Sequence, residues 1–227
     1  MDNISSREDR EFAYAAFFDL DDTILTVSSG KVLIQEAHRK GIMRKRDLVR
    51  GLWFAILYKI NLAHSTRVAM RMASWLKGTE EDYVTELANQ IFDDELVNKI
   101  SHSILKEIEY HRENGARLIM LSAAIDYICR PIVDHLELDD LVCTHMEVKD
   151  GVFTGLPSGK LVFGPVKGTR LVEYCNLHGF DPMEAYCYAD SYSDLPMMLK
   201  TGHPVAVRPD RRLGNAARKR GWKVIKG

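Results

Sequence analysis

"AAFFDLDDTIL", Ala15 to Leu25, is an apolar run that breaks into three acidic side chains and then resumes. The residues before the break are apolar at consecutive positions. A strand covered on both faces, as in a parallel sheet, reads this way. Asp19, Asp21 and Asp22 repel one another and resist burial unless they are paired, hydrogen-bonded or set around a cation. The stretch is therefore either an exposed turn or an acidic cluster around a cation, and the rest of the chain has to decide.

Working outward, residues 13–20 predict a short buried strand. From about 29 to 93 the pattern is helical, with breaks near Gly41, Asn61–His64 and Lys77–Thr79 and no strand signal. From 94 to 112, Leu96, Ile100, Ile104 and Ile108 recur every four positions, which predicts one amphipathic helix closed by Asn114–Gly115. "RLIMLSA" (117–123) reads as a second buried strand, followed by a helix to about Leu136. "VCTHMEVKDGVFTG" (142–155) reads as a hairpin of two alternating runs turning at Asp150–Gly151. Val166–His178 is helical, and "AYCYAD" (185–190) and "PVAVRP" (204–209) are strands. "RLGNAARKRG" (212–221) is a terminal helix and "WKVIK" (222–226) a last strand. Strand-then-helix units around one all-helical insertion imply an α/β fold: a Rossmann-like parallel sheet core with a helical cap inserted after the first strand. The expected division is a core of residues 1–28 and 94–227 and a cap of residues 29–93.

Composition narrows the function classes. In 227 residues the chain has 46% hydrophobic and 28% charged residues and a net charge of −1, so no global field draws it to nucleic acid or anionic lipid. Cys129, Cys143, Cys175 and Cys187 show no CxxC spacing and read as reduced, packed thiols of a cytoplasmic protein. The polar start "MDNISSREDREF" lacks the apolar core of a secretion signal, and "GLWFAILY" (51–58) is too short to span a bilayer. Trp53, Phe54, Leu57 and Tyr58 in that stretch read as core of a helical bundle. The eight histidines show no metal-binding spacing and are read as structural or exposed.

In open parallel sheets, ligands collect beyond the carboxyl ends of the strands. Asp19 and Asp21 end the first strand here, Ser122 the second, and Asp190 the "AYCYAD" strand, with Asp194 just beyond. Lys167 starts the helix before that strand. With these residues in this order, the sequence resembles the haloacid dehalogenase superfamily of aspartate-nucleophile phosphatases, in the subgroup that includes phosphoserine phosphatase. "DLDDT" (19–23) looks like its first motif and Ser122 in "IMLSA" its second; Lys167 looks like the third and "ADSYSD" (189–194) the fourth. The helical insertion between the first two motifs suits that subgroup.

The resemblance implies a phosphomonoesterase acting on a small phosphorylated substrate through an aspartyl-phosphate. Asp19 is then the nucleophile and Asp21 the general acid and base. Mg²⁺ suits an oxygen-only site of Asp19, Asp190 and the Asp21 backbone carbonyl. Ser122, Ala123 and the amides of a helix start would hold phosphate oxygens, with Lys167 adding fixed positive charge. Asp194 would orient Lys167 or bound water, and Asp22 serves as a spacer. Phosphoserine is the first candidate substrate. However, "TVSSGK" (26–31) carries Ser28 where phosphoserine phosphatases have a glutamate for the substrate ammonium, and Ser193 replaces a common asparagine. Arg67 or Arg71 in the cap would meet a carboxylate or second phosphate. The basic run "MRKRDLVR" (43–50) beside an apolar stretch keeps membrane contact and a lipid or glycerol-phosphate head group open. An alternative of another class, a non-catalytic receiver-like phospho-signalling domain, shares the acids, hydroxyl and lysine but is shorter and lacks the insertion.

Overall fold

The computed structural model describes residues 11–41 and 74–226. The basic run 43–50, the aromatic stretch 51–58, the break at 61–64 and Arg67 and Arg71 lie outside the described residues.

Strand β1 (Tyr14–Phe18) is central, and Ala15, Ala16, Phe17 and Phe18 are all fully buried, as a strand apolar on both faces must be. It pairs in parallel with β2 (Ala116–Ile125) on one side and β6 (Tyr186–Ala189) on the other. With β3 (Asp140–Thr144), β7 (His203–Val207) and β8 (Lys223–Ile225), they form a six-stranded sheet in the order β3-β2-β1-β6-β7-β8, every pairing parallel. Alternation along β1 divides the core. Ala16 and Phe18 belong to one buried cluster with residues of α1 (Ser29–Arg39), α2 (Glu81–Ile91), α3 (His102–Glu113) and α4 (Asp126–His135); Ala15 and Phe17 belong to another with residues of α5 (Pro165–His178) and α7 (Arg211–Arg220). All carboxyl ends of the strands thus share one edge.

The predicted strands and the helix of Val166–His178 are present, and Gly115 ends α3 with φ of 72°. The helix predicted over 94–112 is shorter. It begins at His102, because Ile100 is extended and bridges Leu25, while Thr26 N–H donates to Lys99 O and Ser101 N–H to Ile24 O. Backbone pairing with the segment after β1 overrides the four-residue period there, although Leu96, Ile104 and Ile108 are buried as that period implies.

The predicted hairpin is also partly reassigned. Val142–Thr144 belong to β3 of the main sheet, and the hairpin consists of β4 (Met146–Lys149) and β5 (Val152–Pro157). Its turn at Asp150 and Gly151 has positive φ at both residues, as a type I′ hairpin turn requires. The hairpin bonds to the stretch before α2, through Gly78 N–H to Phe153 O and Phe153 N–H to Thr79 O. Phe153 packs with Leu76, Val84 and Met146.

Candidate active site

The chain leaves β1 at Asp19 and turns sharply through Leu20–Ile24. Asp22 takes a left-handed conformation, φ 54°, which short polar side chains tolerate better than branched ones. The residue read as a spacer is thus what turns the chain. Arg208, after β7, staples the turn: its Nη2 donates to the carbonyls of Asp22 (3.0 Å), Thr23 (2.9 Å) and Leu25 (3.1 Å), and its Nη1 to Ser101 Oγ (2.7 Å).

Asp19, Asp21, Ser122, Ala123, Lys167, Asp190 and Asp194 line one cavity of about 270 Å³ at the carboxyl edge of the sheet. Lys167, in the first turn of α5, is almost fully buried; its Nζ lies 2.7 Å from Asp19 Oδ1 and 2.9 Å from Asp194 Oδ1. Burial alone would favour the neutral amine, but Asp19 and Asp194 outweigh it and hold the ammonium charged. The Asp194 contact is an ion pair and not an aligned hydrogen bond, and it leaves that buried oxygen without a hydrogen-bond partner. Asp194 precedes the short helix α6 (Leu195–Met198) but makes no side-chain cap there.

The carboxylates outnumber this one buried cation. Burial, then Asp19 and Asp194, push Asp190 up to about 8; burial, with Asp19 adding and Lys167 opposing, pushes Asp194 up to about 7. One oxygen from each of Asp19, Asp190 and Asp194 comes within 4.8 Å of the others. A buried, oxygen-only cluster with more carboxylates than its one ammonium balances fits a hard divalent cation. Asp194, expected to orient its neighbours, is thus itself part of the cluster.

Asp21 keeps other company. Its Oδ1 accepts from Ser29 N–H (2.8 Å) and Ser29 Oγ (2.6 Å), and its Oδ2 from Ser28 Oγ (3.3 Å), at the start of α1. Burial raises its pKa most; the Ser29 hydrogen bonds pull it down, and Asp19 and Asp22 push it up again, for a net rise. Contrary to the sequence expectation, the amides after Ser122 do not lie at a helix start. β2 runs on to Ile125 through an irregular register, α4 begins only at Asp126, and Ala124 N–H already donates to Ser122 Oγ (3.1 Å). Sequence reasoning missed Ser29 and Arg208. A Ser-Ser-Gly at a helix start was the available signal for Ser29; Arg208 left none.

A family model for haloacid dehalogenase-like hydrolases matches residues 16–199. A Streptomyces azureus protein named inhibition of morphological differentiation protein is 30% identical over 93% of this chain and 77% of its own length. Phosphoserine phosphatase SerB1 of Mycobacterium tuberculosis is 27% identical over 92% of this chain and 70% of its own. Histidinol-phosphatase of Neisseria meningitidis is 25% identical over 92% and 97%. A solved structure of a Bordetella pertussis protein of unknown function shares the fold with a TM-score of 0.83 and 23% identity, over 95% of this chain and 99% of that one. The chain therefore belongs to the haloacid dehalogenase-like hydrolase family, and two of its relatives are named as phosphatases.

Proposed function

We propose that the chain is a phosphomonoesterase working through an aspartyl-phosphate on Asp19. The observation that carries this is Lys167, buried and charged between Asp19 and Asp194 at the floor of the cavity. A fixed cation beside a carboxylate, in a cavity that Ser122 also lines, suits a phosphoryl group next to a nucleophile. An Asp19 oxygen attacks phosphorus, the ester P–O bond breaks, and Asp21 passes its proton to the leaving alkoxide. Asp21 then takes a proton from water as that water attacks the aspartyl-phosphate, releasing phosphate and restoring Asp19. Ser122, Ala123 and Lys167 hold the phosphoryl oxygens. Asp19, Asp190 and the Asp21 backbone carbonyl would hold Mg²⁺, with Asp194 beside them; when bound, it supplies the positive charge that lets two anions meet.

We read residues 29–93 as a cap over a core of 1–28 and 94–227. In support, Leu33 and Ile34 of α1 and Trp75 and Leu76 before α2 line the cavity. The four cysteines, free and buried, suit a reducing cytoplasm. Among the described residues no helix is long and apolar enough to cross a membrane. The test is phosphate release from p-nitrophenyl phosphate with Mg²⁺. Turnover should vanish in EDTA and in Asp19→Asn, whose amide is a poor nucleophile. Wild-type-like turnover by that variant would overturn the mechanism.

A further inference from the structure

The cavity changes character away from its ionic floor. Ile34 of α1, Trp75 and Leu76 before α2, Ile125 at the end of β2, Met146 of β4 and Leu161 before α5 form its walls. These side chains come from five separate segments, so no single element's periodicity explains their meeting there. The nearby hydroxyls of Ser28 and Ser29 are committed to Asp21. Among the described lining residues, Lys31 is the one cation besides Lys167.

We infer that the leaving group this site accepts is apolar, an alkyl or aryl alcohol, so that the substrates are monoesters with a charged phosphate and an uncharged hydrocarbon remainder. This rests on the phosphomonoesterase reading. A zwitterionic remainder would lose its hydration against these walls, whereas each methylene they cover gains binding. A cavity of about 270 Å³ is small for a ligand site, so the gain ends after a short chain and a longer one emerges from the mouth. A soluble alkyl phosphate and a lysolipid phosphate offer the same chemistry.

The experiment measures phosphate release by the full chain with Mg²⁺ from ethyl, butyl and hexyl phosphate, p-nitrophenyl phosphate, phosphoserine, and lysophosphatidate in mixed micelles. kcat/KM should rise about fourfold for each methylene the walls bury, and butyl phosphate should exceed phosphoserine. Leu161→Asp should lower the hexyl-to-ethyl ratio about tenfold, and Leu161→Met should preserve it. Lysophosphatidate outrunning hexyl phosphate assigns the group to a lipid, and the reverse to a soluble ester; both support an apolar leaving group. A flat alkyl series, or phosphoserine preferred while p-nitrophenyl phosphate still turns over, overturns this inference and leaves the phosphatase reading standing. Hydrolysis of no member removes both. The wild-type series decides the matter even if a variant fails to fold.

Discussion

Asp19 and Asp21 lie two positions apart, yet their carboxylates have different partners. Asp19 Oδ1 lies 2.7 Å from the Lys167 ammonium; Asp21 faces Ser28 and Ser29 and is buried with other acids, which favours holding a proton. If that division is the mechanism, Asp21→Asn fails at protonating the leaving group and at activating water, not at the first attack. Turnover should fall by about 10²- to 10⁴-fold. With p-nitrophenyl phosphate, whose leaving group needs little protonation, phosphoenzyme should accumulate. Mass spectrometry of the quenched variant should show one added phosphate; an unmodified chain would count against the role.

Two packing contacts hold the elements that carry these residues. Arg208 reaches from the end of β7 to the turn after β1 and satisfies three of its carbonyls. Arg208→Met leaves them unpaired, which should cost about 1–3 kcal/mol of stability. It also lets Asp19 drift, which should lower kcat about 100-fold while KM changes little. Arg208→Lys, keeping a charge and one donor but losing the fork, should recover part of both. Equal losses in Lys and Met would show that the fork does not matter. The second contact is Gly168, beside Lys167. A β-carbon there would come within 2.8 Å of Pro196 O, so α5 approaches the Pro196 backbone only because this residue has no side chain. Gly168→Ala should cost about 1–3 kcal/mol in thermal melts and lower kcat by shifting Lys167 from Asp194. Arg170→Ala, on the exposed face of the same helix, should do neither.

Across the molecule, a polar network centred on buried His111 ties β1, α3, β6 and β8 together. His111 is fully buried; its Nδ1 pairs with Tyr14 OH at 2.9 Å and its Nε2 with Tyr188 OH at 2.8 Å. Tyr188 OH donates to Glu107, which also pairs with Lys223. Burial lowers the His111 pKa to about 4, with Lys223 adding to and Glu107 opposing the shift. The unfolded chain binds a proton near pH 6.5 that the folded chain refuses until about pH 4. The stabilising contribution is therefore complete above pH 6.5 and is lost as pH falls toward 4, at no more than about 1.4 kcal/mol per pH unit. Glu107, whose pKa is lowered, adds a further loss in more acidic solution. Urea unfolding at pH 7 and pH 5 should show the decline, and His111→Asn should flatten it. A slope unchanged by that substitution would place the titration elsewhere.

The parallel sheet was legible because it is a matter of local burial. Runs apolar on both faces, such as Ala15–Phe18 and Leu118–Leu121, have no other stable place, and the polar residue ending each run lands on the shared carboxyl edge. Asp19, Ser122 and Asp190 could be picked out for that reason, Lys167 by its place in order among them, and the Asp150–Gly151 turn by its residue types. The start of α3, the run of β2 past Ser122 and the reach of Arg208 could not. Each depends on a hydrogen bond between backbone or side-chain groups far apart in the chain, such as Ser101 N–H to Ile24 O or Arg208 to Thr23 O. Hydrophobic period records which side of an element is covered. It carries no information about which distant carbonyl a donor will meet, and that meeting sets where a helix begins and how the turn after β1 is held.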